Sequence, residues 1–155
     1  MQLAKLKMKI KKSFIIVLLS LIALSYIRNT TFIVIHAALT KKPTNYANAR
    51  VPDLLQQLTE KQLIFLKWGL MAVFSVLFVL LSGIAIRAYF KNKHLTQLTF
   101  IIYISLILFC ILAFLVASSL HIQQIEHAAQ TMVLFIHSPL VLLILTAIFT
   151  LKNSN

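Results

Sequence analysis

LIFLKWGLMAVFSVLFVLLSGIAI, residues 63–86, is the stretch on which the fold turns. It holds one charge, Lys67, and no proline. As an α-helix rising about 1.5 Å per residue it reaches about 36 Å, enough to cross the roughly 30 Å hydrocarbon core of a bilayer. Lys67 and Trp68 stand near its start, where a snorkelling cation and an interfacial aromatic belong. Arg87, Lys91 and Lys93 follow its far end. The turn KNKH at 91–94 is short, so the next apolar run, LTFIIYISLILFCILAFLVAS at 98–118, must return antiparallel.

Outward from this hairpin the same grammar continues. SLHIQQIEHAAQT (119–131) reads as an outer loop with helical character, and MVLFIHSPLVLLILTAIFTL (132–151) as a further span. Pro139 removes one backbone hydrogen bond from that span and kinks it. Upstream, a lysine-rich start (MQLAKLKMKIKK, 1–12) precedes SFIIVLLSLIALSYI (13–27). Large Tyr26, Ile27 and Arg28 occupy the places where a signal peptidase needs small residues, so the segment reads as an uncleaved anchor. FIVIHAAL (32–39) is too short to span by itself; it extends the first helix or lies in the interface. Residues 41–50 are loop-like, and Pro52 opens a short surface helix over 52–60 with Leu54, Leu55 and Leu58 on one side.

The fold these segments predict is all-α: an integral membrane protein of one domain, 1–155, with four transmembrane helices in an antiparallel bundle. The spans fall at about 13–30, 62–88, 98–118 and 132–151, and the outer loop 31–61 carries a short interfacial helix. Composition agrees. The chain is 60% hydrophobic and only 12% charged, whereas soluble domains are about one quarter charged. So few charges cannot cover the surface of a soluble fold.

Fifteen Lys and Arg against three acids, Asp53, Glu60 and Glu126, gives a net charge of +12. The cations cap apolar runs instead of forming one basic stripe, which argues against nucleic acid and for the lipid bilayer as partner. Lys5, Lys7, Lys9, Lys11, Lys12, Arg87, Lys91 and Lys93 form short acid-free clusters that set topology and touch lipid headgroups. All three acids fall on the other side. The expected placement is therefore a multi-pass protein of the inner (plasma) membrane with both termini cytoplasmic.

Candidates for chemistry are few. An ionisable group deep in a span is costly and is a functional candidate by default. On this reading only His137 lies inside a span, with a neutral ring bonded to a helix neighbour as its simplest role. His36, His121, His127 and His137 all fall on or near the outer face and could together ligate haem or a metal. His121 and His127 are six apart, which does not place them on one helix face, and no paired-carboxylate or CxxCH motif supports the idea. No cofactor is expected. Ser75, Ser82, Ser105, Ser118 and Ser138, with Gly69 and Gly83, suit close helix packing; a serine nucleophile would lack a base in the spans. Cys110 stands alone in an apolar run, and Asn29-Thr30-Thr31 matches a glycosylation sequon.

AYFKNKHLTQLTFIIYISLILFCILAFL (88–115) and FIHSPLVLLILTAIF (135–149) resemble the middle and closing segments of the small membrane proteins associated with the exosortase F system in Bacteroidota. Lys67-Trp68 departs from the Arg-Tyr pair expected at the entrance of that family's second span. The resemblance implies an accessory role in C-terminal protein sorting and brings no active residues with it.

Three functions follow. The first is a non-enzymatic accessory or assembly subunit of a membrane complex, bound to another membrane protein or to its own copies. The second is a haem- or metal-binding redox protein using the outer histidines. The third is a small oligomeric transporter or channel, for which the spans offer mainly Ser and Thr as polar lining. Topology is the expectation most open to test: labelling of introduced tags should place positions near Lys91 on the cytoplasmic side and positions near Asn45 and Gln124 outside, and exposure of Lys91 outside would reverse the orientation.

Overall fold

A computed structural model describes residues 12–40, 53–120 and 123–154, and among these every regular element is a helix. In chain order they are α1 (Lys12–Thr40), α2 (Asp53–Gln56), α3 (Glu60–Phe90), α4 (Lys93–Leu120), α5 (Gln123–Ile136) and α6 (Pro139–Ser154). Three of them, α1, α3 and α4, are long and apolar enough to cross a membrane. No more than a third of the apolar stretch of any of the three is buried inside the molecule. The remaining apolar surface needs lipid or a partner protein around it.

Local sequence explains where α3 begins and ends. Thr59 and Gln62 form a capping box: the Gln62 N–H donates to the Thr59 hydroxyl (3.4 Å), and the Thr59 N–H donates to Gln62 Oε1 (2.9 Å). Glu60 in the first turn and Arg87 in the last complement the helix dipole. Lys91 ends the helix in the left-handed region (φ 55°), with its N–H on the Arg87 carbonyl at 3.0 Å. Asn92 Oδ1 then accepts the His94 N–H (2.9 Å) and starts α4. The turn thus closes in two residues, and α3 and α4 form the expected hairpin, with Trp68 at the start of one meeting Phe114 near the end of the other (5.0 Å).

α1 differs from expectation. It does not stop near residue 30 but continues to Thr40, so 31–40 belongs to the helix and not to a loop. The polar run Asn29-Thr30-Thr31 does not break it, because the threonine hydroxyls donate back to the carbonyls of Tyr26 (3.0 Å) and Ile27 (2.8 Å). The surface helix expected over 52–60 is reduced to α2, and residues 41–52, the first ten of which are expected to be loop-like, lie outside the described residues.

The fourth apolar segment is not one kinked helix. It is broken into α5 and α6, and α5 reaches back through most of the stretch read as an outer loop. The cause is Pro139. In a continuous helix the Phe135 carbonyl would accept from residue 139, which has no N–H to give. Ser138 takes its place, donating to Phe135 O from its N–H (3.0 Å) and its hydroxyl (2.6 Å). His137 and Ser138 turn the chain, and Pro139 opens α6 at the first helical position.

Aromatic contacts fix how the helices face one another. Phe14 of α1 meets Tyr89 of α3 (5.0 Å) and Phe32 meets Phe74 (6.2 Å), so α1 and α3 run antiparallel. Phe90 at the end of α3 meets Phe149 of α6 (6.0 Å), while α5 packs along α4. The core holds Leu21, Phe78, Ile86, Tyr103 and Leu142, all fully buried. Ser82 donates to the Tyr103 hydroxyl across α3 and α4 at 2.9 Å. Beside that bond, Gly83 lets the Phe100 ring lie where a β-carbon would stand, 2.5 Å from its nearest atom. At Gly69 an added β-carbon meets nothing within 4 Å. Gly83→Ala is therefore expected to lower stability by about 1–3 kcal/mol, because Phe100 must swing out of its seat. Gly69→Ala should be neutral or slightly stabilising. Thermal unfolding of the two variants in the same detergent checks this, and equal midpoints would contradict it.

Candidate functional site

Phe14, Leu21, Arg28 and Ile35 recur every seven residues along α1, and all four are buried. The spacing is that of a helix seam facing a neighbour. It carries a cation, Arg28, into the interior with 6% of its surface exposed. A reading that ends the first span near residue 30 places Arg28 at the membrane edge; the continuous helix places it near the middle of α1. The heptad spacing was the signal that could have revealed it.

The antiparallel register that sets Phe14 against Tyr89 and Phe32 against Phe74 puts Arg28 level with the segment 75–78 of α3. On its own helix Arg28 holds its guanidinium carbon 5.2 Å from the centre of the Phe32 ring, a cation–π contact worth up to about 2 kcal/mol when desolvated. The same segment of α3 receives His137 from the α5–α6 break. The imidazole stacks on Phe78 (5.3 Å, 19° between planes), and its Nε2 lies 2.7 Å from the Ser75 hydroxyl. Ser75 also donates to the Met71 carbonyl at 2.9 Å. α1, α3 and the broken helix therefore meet at one depth, and that depth holds Arg28, Ser75 and His137.

Ser75 does have an imidazole partner in the spans, contrary to expectation. The pair has the distance of a nucleophile and its base. Its chemistry points elsewhere. A serine hydroxyl has one proton, and donating it to Met71 O leaves Oγ as the acceptor of an Nε2–H bond, which fixes the ring without activating the oxygen.

Two atoms of this cluster, Arg28 Nε and His137 Nδ1, are buried without a hydrogen-bond partner among the described residues. No acidic side chain is among the buried polar residues, which are Arg28, Ser82, Thr99, His137 and Thr146. Thr99 and Thr146 satisfy themselves on carbonyls one turn back (2.9 and 2.8 Å). Among the described residues no buried acid therefore faces the Arg28 charge, and its position makes the centre a cationic, donor-bearing site.

Of the four histidines read as a group, the two with described side chains sit in different settings. His137 is buried, whereas His36 is exposed on α1. His121 lies outside the described residues, as does the His127 side chain, although its backbone falls in α5. Among the described residues no three His, Cys, Asp or Glu side chains converge as a metal site would require. Lys12, Arg87, Lys91 and Lys93 are exposed at helix ends; Lys5, Lys7, Lys9 and Lys11 lie outside the described residues.

If Arg28 is kept for function and not for stability, an unbranched apolar residue on the same seam should stabilise the fold. Arg28→Met is expected to raise stability by about 1–3 kcal/mol, since it removes an unpaired buried charge while filling similar volume. Ser75→Ala is expected to lower it by about 1–3 kcal/mol by leaving the imidazole without its partner. Unfolding in detergent measures both; destabilisation by Arg28→Met would assign the arginine a structural role. In comparison with known proteins, no family model, curated protein or solved structure matches the chain.

Proposed function

We propose that the chain is a non-enzymatic accessory or assembly subunit of a membrane complex, of the protein-sorting class that its sequence resembles. On this reading α5 and α6 together make a fourth crossing, both termini face the cytoplasm, and the protein sits in the inner membrane. The observation that carries it is the outer face of α4. Ile101, Ile104, Leu108, Leu112 and Leu115 are all at least half exposed and follow one another at helical spacing. So wide a stripe beside a thin core is what a subunit offers to another transmembrane helix, where close van der Waals packing drives association.

A second reading, a small oligomeric carrier of solutes, is favoured by one feature. A discontinuous helix whose break lies beside a buried charge is the arrangement with which transporters hold a substrate at mid-membrane. The redox reading has no comparable support, because the described histidines lie apart.

Photo-crosslinkers at Leu108 and Leu112, activated in native membranes, test the subunit role. A discrete protein adduct of fixed mass is expected at these positions and not at Ile16 on α1; adducts with lipid alone would overturn it. The non-enzymatic part is tested with a fluorophosphonate probe. Labelling that Ser75→Ala abolishes would show an activated serine and overturn that part.

A further inference from the structure

Among the described residues the two buried nitrogens without a hydrogen-bond partner belong to Arg28 and His137, and both lie in one cluster. Each side chain is more than nine-tenths buried, at 6% and 1% exposure. Arg28 comes from α1 and His137 from the turn between α5 and α6, yet both lie against the stretch Phe74–Phe78 of α3: Arg28 by the register of α1 and through Phe32, His137 by direct contact with Ser75 and Phe78. Buried polar atoms in native proteins find partners, and an exception calls for an explanation.

We propose that Arg28 and His137 form a binding site for a small organic carboxylate, held at mid-depth between α1, α3 and the α5–α6 break. The guanidinium is always charged and presents its N–H groups in a plane that matches carboxylate oxygens. Its Nε–H is a donor awaiting an acceptor. The imidazole can supply a second donor. When the Ser75 proton is given to His137 Nε2 instead of to Met71 O, the ring proton sits on Nδ1, the unpartnered nitrogen. A bound anion selects that tautomer, because it rewards an N–H at Nδ1 and penalises a lone pair there. α6 begins at Pro139, two residues after the ring. Phe32, Phe74 and Phe78 wall the cluster with apolar ring surface, which suits the carbon skeleton of an acid better than a hydrated inorganic ion.

This inference goes beyond both functional readings: it assigns a ligand class to the buried centre, whether the chain serves a partner or carries a solute. It is tested on the full chain in nanodiscs of zwitterionic lipid, with sodium benzoate and sodium acetate as probes against sodium chloride at equal ionic strength. Benzoate at ten times its dissociation constant is expected to raise the melting midpoint by about 3–6 °C. It should also move the His137 ring-nitrogen resonances toward the Nδ1–H form, the signals being assigned by their loss in His137→Gln. Arg28→Met, which keeps the seam filled, should remain folded and lose both responses. Arg28→Lys should keep a response at least tenfold weaker. No response in the native protein, an equal response to chloride, or an undiminished response in folded Arg28→Met would each overturn the proposal.

Discussion

Lipid offers no hydrogen bonds, so every backbone amide within the hydrocarbon region must find its partner inside the chain. That constraint accounts for most of what the structure does. It makes the described elements helices, and it explains how α1 passes through Asn29-Thr30-Thr31, where hydroxyls fold back on the preceding turn. It also explains the repair at Pro139, where Ser138 gives two donors to the carbonyl that proline leaves idle. Serine and threonine elsewhere follow suit, as at Thr99 and Thr146. Against such consistent satisfaction the bare nitrogens of Arg28 and His137 stand out.

Arg28 is also the least economical residue in the fold. A cation at the centre of a membrane helix costs on the order of 2.5–3.5 kcal/mol on insertion scales. The Phe32 ring offsets part of this, and among the described residues no buried carboxylate offsets the rest. The seam residues before and after it, Leu21 and Ile35, are what packing alone would choose. Retaining a charge there concentrates electrostatic potential in a region of low dielectric, where a donor acts on its acceptor more strongly than it would in water.

α3 organises this centre because its faces serve different neighbours. Phe74 receives α1, Ser75 and Phe78 receive the α5–α6 break, and Ser82 with Gly83 brings α4 close. The core is correspondingly thin, and the outer surfaces of α1 and α4 stay apolar and exposed. Polar and apolar groups thus occupy separate surfaces: the inner seam holds Arg28, Ser75 and His137, and the outer stripe of α4 is apolar.

Much of this was legible in the residues. The length and apolarity of 63–86 and 98–118 and the short turn after Phe90 specify α3, α4 and their antiparallel pairing through local physics. Other features are harder to read. A charge followed by three polar residues looks like the end of a span, which puts Arg28 at the edge although it shares the heptad of Phe14, Leu21 and Ile35. His137 visibly lies within an apolar segment, but its partner Ser75 is 62 positions away in the chain. Helical periodicity tells which residues share a face of one helix. It does not tell at what depth a residue on one helix meets a residue on another. The sequence by itself therefore determined the helices and their apolar surroundings. Only the packing of α1 and the broken α5–α6 segment against α3 decided that an arginine, a serine and a histidine share one level, because that level depends on how long aromatic side chains interlock between helices.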